Sequence, residues 1–173
     1  MKNILIVGCG LIGSSILRAV SQKRLFKNIF VLEKSKKNIS VLKKLKLKCK
    51  IISSLKDISN SFDLIIFCTP MSQYSNVILK INKFVTNKTI VTDVGSTKEQ
   101  SFKNVKKILK KNIIWIPSHP ITGSEVSGPK FGNKDLFENK WCVLIKEKKV
   151  DKSRLSKLRK FWQKIGSKVI FMN

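Results

Sequence analysis

Ile4-Leu5-Ile6-Val7-Gly8-Cys9-Gly10-Leu11-Ile12-Gly13 is the stretch that decides how this chain folds. The apolar run from Ile4 to Val7 reads as a buried strand. It leads straight into G-x-G-x-x-G, spelled GCGLIG, after which Leu11, Ile12, Ile16, Leu17 and Val20 recur at the spacing of one helix face. Each glycine has its own task in such a strand, turn and helix. Gly8 permits the tight turn, Gly10 lets a pyrophosphate approach the backbone, and Gly13 lets the helix pack close to the sheet. The first turn, with Leu11 and Ile12, presents unpaired N–H groups and a positive dipole end to phosphate. The glycine pattern alone is a weak signal, but its place between a strand and a helix makes it a dinucleotide site.

A second run, Asn28-Ile29-Phe30-Val31-Leu32, ends at Glu33, twenty residues beyond Gly13. That is where such folds place the carboxylate that takes the ribose hydroxyls. Glu33 favours NAD over NADP, because a carboxylate repels a 2′-phosphate. Lys34, Ser35, Lys36 and Lys37 follow at once and would welcome a phosphate, so NADP stays as the minor option.

At 173 residues, 42% of them hydrophobic, the chain fits one domain with a real core. No apolar run approaches the length of a membrane span, and the run after Lys2 is too short for a signal peptide, so the chain reads as cytoplasmic. Cys9, Cys49, Cys68 and Cys142 show no C-x-x-C spacing, and with a single histidine no metal site is expected. The net charge of +26 first suggests a nucleic-acid partner. Yet 32 of the 36 basic residues are Lys, spread through every kind of segment, which points to compositional bias and disfavours nucleic acid. The field would still steer an anionic small-molecule substrate.

The periodicity alternates strand and helix throughout. A lysine-rich helix is expected over Ser35 to Leu45, a short strand near Lys50-Ile51-Ile52, and a loop with a turn of helix from Leu55 to Ser61. Asp63 to Phe67 reads as an inner strand stopped by Cys68-Thr69-Pro70. Tyr74, Val77, Ile78 and Ile81 mark a helix, with Tyr74 read as core. Thr89 to Thr92 and Asn112 to Ile116 read as strands around a helix carrying Phe102, Val105, Ile108 and Leu109. Ile121 to Asn139 is irregular, and a loop that long in a compact domain is usually functional. Lys140 to Ile145 is a strand, Leu155 to Ile165 a helix ended by Gly166, and Val169 to Phe171 the last strand. The expectation is an α/β, Rossmann-type, doubly wound and mostly parallel sheet with helices on both faces, one sheet accounting for nearly every residue.

In such sheets ligands bind beyond the carboxyl ends of the strands. The glycine turn and Glu33 would hold the adenine half of a dinucleotide. Thr69-Pro70, Gly95-Ser96 and Ser118-His119 would surround the nicotinamide half. His119 is a candidate base, since free imidazole titrates at about 6.5. Ser96 either bonds a substrate hydroxyl or caps the next helix, and Asp93 orients that loop. Lys98 is left open between an anion contact and solvent.

GCGLIGSS, VTDVGSTK, PSHPITGSEVSGP and LFENKWCVL together resemble the prephenate/arogenate (cyclohexadienyl) dehydrogenase family. The selective part is His119-Pro120-Ile121-x-Gly123-x-Glu125-x-Ser127-Gly128, following Gly95-Ser96 in the usual order. The resemblance implies NAD-dependent oxidative decarboxylation of prephenate or arogenate to 4-hydroxyphenylpyruvate or tyrosine, in tyrosine biosynthesis. It implies that His119 accepts the proton of the ring hydroxyl, that Ser96 bonds the same hydroxyl, and that Ser124 and Glu125 lie around the substrate. Thr122 and Ser124 are mild departures, standing where Ala and Thr are common.

Members of that family continue into an all-helical dimerisation domain with further substrate contacts. No such segment is expected between Met1 and Asn173, so the chain reads as the cofactor domain, a homodimer only where the helical domain is present. The alternatives are another Rossmann hydroxy-acid dehydrogenase, or a non-catalytic protein that binds NAD or nucleic acid.

Overall fold

The computed structural model describes residues 1–54, 61–96, 107–109, 113–123, 125–146 and 150–172. The strands are β1 Asn3–Val7, β2 Asn28–Leu32, β3 Lys50–Ile52, β4 Leu64–Phe67, β5 Ile90–Asp93, β6 Ile114–Trp115, β7 Ser118–Pro120, β8 Trp141–Ile145 and β9 Lys168–Met172. The α-helices are α1 Leu11–Gln22, α2 Lys36–Lys44, α3 Tyr74–Ile81 and α4 Lys152–Lys164.

The first six strands form a parallel sheet in the order β3-β2-β1-β4-β5-β6, the doubly wound arrangement. Its central strands β1 and β4 are almost wholly apolar, Asn3 apart, because both faces are covered. Successive side chains alternate between faces. Ile4, Ile6, Ile29, Val31, Leu64 and Ile66 join α1 and α4 in one cluster, while Leu5, Val7, Phe30, Leu32, Ile65 and Phe67 join α3 in another. The switch point lies between β1 and β4, where the chain order reverses.

A single sheet does not hold. β7, β8 and β9 form a second sheet, with β7 antiparallel and β8 parallel to its neighbour. The cause is local. Ile116 still donates to the Val91 carbonyl at 2.8 Å, as a continuing β5–β6 ladder requires. Pro117 then has no N–H, and its carbonyl turns to accept from Ile145 of β8. The chain leaves one sheet and enters the other without a break.

The described part of the segment from 121 to 139 holds more local structure than an irregular loop. It contains a 3-10 turn at Pro129–Phe131 that packs on α1 and α2. Asn133 N donates to Ser15 Oγ at 3.0 Å, and Arg18 Nη2 donates to the Pro129 carbonyl at 3.2 Å. A Cβ on Gly132 would lie 2.1 Å from Ser14 Oγ, so only glycine allows this approach. Of the turn expected from Leu55 to Ser61, residues 55–60 lie outside the described residues, as does most of the helix around Phe102 and Val105. No helix among the described residues is long and apolar enough to cross a membrane.

Candidate active site

The glycine turn has three distinct environments. Gly8 has φ +82, and a Cβ there would stand 2.6 Å from Thr69 Cγ2. A Cβ on Gly13 would stand 2.2 Å from the Gly8 carbonyl oxygen, so α1 can meet the strand only because Gly13 lacks one. A Cβ on Gly10 would meet nothing within 4 Å, so this stretch of backbone is open to a ligand. No side chain caps α1 and no acid sits in its first turn, so the turn holding Leu11 and Ile12 keeps its donors and its positive end.

Glu33 closes this corner. Its Oε2 accepts from Cys9 N at 3.0 Å and from Asn38 Nδ2 at 3.3 Å. Its Oε1 accepts from Lys34 N at 2.8 Å and Ser35 N at 2.9 Å. The carboxylate therefore joins the glycine turn to the start of α2, besides marking the end of β2. Opposite, Thr69 Oγ1 is buried without a hydrogen-bond partner at the end of β4, beside Gly8. An orphaned hydroxyl, an open glycine and an uncapped helix end suit a dinucleotide's phosphates and riboses. Pro70 is exposed and leads into the 3-10 turn Met71–Gln73.

The other half of the rim is organised by Asp93, the last residue of β5, which is 2% exposed. Asp93 Oδ2 accepts from Gly95 N at 3.0 Å and from Tyr74 OH at 3.3 Å. Burial first, and then the Asp93 charge, hold the Tyr74 phenol well above its usual range, so it stays a donor. Asp93 Oδ1 accepts from Ser118 N at 3.4 Å, and the Asp93 carbonyl accepts from Ser118 Oγ. Thr92 Oγ1 lies 2.9 Å from the same hydroxyl. The rung that a regular ladder would place between β5 and β7 is thus rebuilt from side chains.

His119 lies within β7, not beyond a strand end as its sequence suggested, and is half-buried. In register it pairs with Val143, which pairs with Ile170, so all three share the outer face of the small sheet. Ser118 and Pro120 point the other way, paired with Leu144 and Cys142 in the core.

The profile of the family described as "Prephenate dehydrogenase, nucleotide-binding domain" matches residues 16–171. The chain belongs to this family. The cyclohexadienyl dehydrogenase of Zymomonas mobilis is 27% identical over 172 residues, which cover 99% of this chain and 58% of that protein. The prephenate dehydrogenase of Bacillus subtilis is 27% identical over 161 residues, 90% of this chain and 42% of that protein. The crystal structure of prephenate dehydrogenase from A. aeolicus, in complex with hydroxyphenyl propionate and NAD+, superposes with a TM-score of 0.90 at 27% identity, covering 100% of this chain and 60% of that one. The chain thus spans about half the length of the curated relatives it matches.

In this prephenate dehydrogenase nucleotide-binding domain, the residues singled out from sequence fall into two groups. Gly8, Gly10, Leu11, Ile12, Gly13, Glu33, Thr69 and Pro70 gather at the ends of β1, β2 and β4. Ser96 is exposed just beyond Gly95, and Asp93 links that turn to the strand bearing His119. Glu125 is exposed in the segment after β7, whereas Ser124 and Lys98 lie outside the described residues. Sequence reasoning gave Ser118 no role beyond its place beside His119. Strand alternation offered the signal, since a serine facing inward at the end of an apolar layer needs a polar partner.

Proposed function

We propose that this chain is the cofactor-binding part of an NAD-dependent enzyme that oxidatively decarboxylates prephenate or arogenate, giving 4-hydroxyphenylpyruvate or tyrosine. The glycine turn, the first turn of α1 and Thr69 would hold the pyrophosphate and adjoining ribose, and Glu33 the adenosine ribose. Bound NAD supplies the hydride acceptor. His119 takes the proton of the ring hydroxyl as hydride leaves the same carbon, and Ser96 holds that hydroxyl in place. Loss of the ring carboxylate as CO2 then yields the aromatic ring and drives the reaction forward. Ser124 and Glu125 belong to the substrate side.

The observation that carries this reading is the convergence of Gly95 N and Ser118 N on Asp93, one residue before Ser96 and His119 respectively. It ties together the two segments that carry the polar groups this chemistry needs, which supports the reading. The relatives' names supply the substrate class, and the A. aeolicus complex pairs NAD+ with an aromatic acid. The net charge of +26 would concentrate such an anionic substrate. We further infer that a helical, dimerising portion completes the substrate site. The exposed apolar side chains Trp141, Ile170 and Met172, on the same face as His119, are where it would pack. The decisive test is reduced-cofactor formation with prephenate and with arogenate in the complete enzyme, wild type against His119→Asn. Full turnover in the variant, or no cofactor binding in the wild type, overturns the reading.

A further inference from the structure

We propose that Asp93 is the positioning residue that fixes the separation of Ser96 and His119, an inference that rests on the dehydrogenase reading above. Asp93 meets neither substrate nor cofactor in this scheme; it acts through its neighbours. Among the described residues its carboxylate receives donors from three elements: Tyr74 OH from α3, Gly95 N from the turn after β5, and Ser118 N from β7. Two of these are the residues directly preceding Ser96 and His119. Ser118 is held twice, because its hydroxyl also donates to the Asp93 carbonyl. The two catalytic candidates stand 23 positions apart, Ser96 after a strand of the large sheet and His119 within the small one. No backbone ladder joins them at this point, since Pro117 ends it. A buried carboxylate is the group for this task. It accepts only, and it can meet several N–H and O–H donors at once.

An amide cannot do the same. Asp93→Asn keeps the shape but turns one acceptor oxygen into an NH2 donor, which must face an N–H or O–H donor. The conserved volume spares the fold, while the Gly95 turn or β7 shifts away. A displacement of about 1 Å in a reacting group costs on the order of 100-fold in rate. The effect falls on turnover and leaves the glycine turn intact.

The single histidine makes the test direct. Imidazole signals in a heteronuclear NMR spectrum of the full chain come from His119 alone. Asp93→Asn is expected to move or split those signals while NAD affinity stays within about twofold. In the complete enzyme, kcat should fall about 100-fold with little change in KM. A folded Asp93→Asn protein whose imidazole signals superimpose on the wild type, with kcat unchanged, overturns the proposal. If that variant shows no cooperative melt, Tyr74→Phe removes one donor to the carboxylate, and Ser118→Ala removes the hydroxyl that holds the Asp93 carbonyl. Displaced imidazole signals in either support the proposal, and unmoved signals in both overturn it. The underlying reading fails separately: wild-type imidazole signals indifferent to NAD would sink the dehydrogenase assignment, while the effect of Asp93→Asn on those signals would still judge Asp93.

Discussion

A Cβ on Gly13 would lie 2.2 Å from the carbonyl oxygen of Gly8, closer than any side chain can stand to a backbone atom. A Cβ on Gly10, between them, would meet nothing within 4 Å, and its φ is an ordinary −72. The two glycines of one motif therefore fail in opposite ways. Gly13→Ala should destabilise the fold by about 3 kcal/mol through overpacking. Gly10→Ala should melt with the wild type and lose nucleotide affinity, because its methyl group fills the phosphate's approach. Thermal melts with and without NAD separate the two.

Removing the Glu33 side chain should do more than relax the choice of cofactor. The carboxylate binds Cys9 N and Asn38 Nδ2 on one oxygen, and Lys34 N and Ser35 N on the other. Hydrogen bonds to a charged group are worth about 1.5–3 kcal/mol each, so losing the ribose contact alone costs roughly 10-fold or more in affinity. Glu33→Ala is expected to weaken NAD binding by at least that factor and to narrow the gap to NADP. Parallel titrations of both nucleotides, followed by protein fluorescence, give the answer; an unchanged NAD-to-NADP ratio would remove Glu33 from the specificity determinants.

Alkaline stability should depend on Cys9. Burial, and next the Glu33 charge, hold its thiol well above the ordinary value of 9.0. Between the unfolded and folded pKa values the unfolded chain binds fewer protons, so stability falls as pH rises. The contribution is complete below about pH 8 and shrinks by about 1.4 kcal/mol per pH unit once the unfolded thiol is ionised. Cys9→Ala should reduce the slope by that amount, while buried Cys68, whose thiol is also held high, keeps its own share. Urea melts at pH 8 and pH 10 measure it, and equal slopes in both proteins would refute the assignment.

Gly132→Ala should free the segment after β7 from α1. The added methyl would meet Ser14 Oγ at 2.1 Å and Arg18 Nε at 3.0 Å. Overpacking of this kind costs about 1–3 kcal/mol. Faster hydrogen exchange at the Asn133 amide, which donates to Ser15 Oγ, is the local signature to look for. Exchange at wild-type rates would mean that the contact is not what holds the segment down.

The large sheet was legible from sequence because its information is local. The run from Asn28 to Leu32 is a strand over those residues, since an unbroken apolar stretch ending in an acid fits a doubly covered sheet. The turn at Gly8 and the close packing at Gly13 follow from the same logic. The second sheet was hidden because β7 is defined by what Pro117 denies it and what β8 offers 22 to 26 residues later. The Ser118 rung depends on a carboxylate 25 residues away, and the use of Gly132 on a helix 118 positions earlier. Periodicity reports burial along a segment; it carries no information about which distant polar group a buried serine will meet.

The unbroken passage from β6 into β7 has a mechanical consequence. One run of backbone is stitched to β5 by a main-chain bond at Ile116, then by side-chain bonds at Ser118, before it enters the small sheet. Sliding of one sheet past the other would have to rupture those stitches first. Through them the strand that carries the imidazole is anchored to the end of β5, as a rung to a single girder.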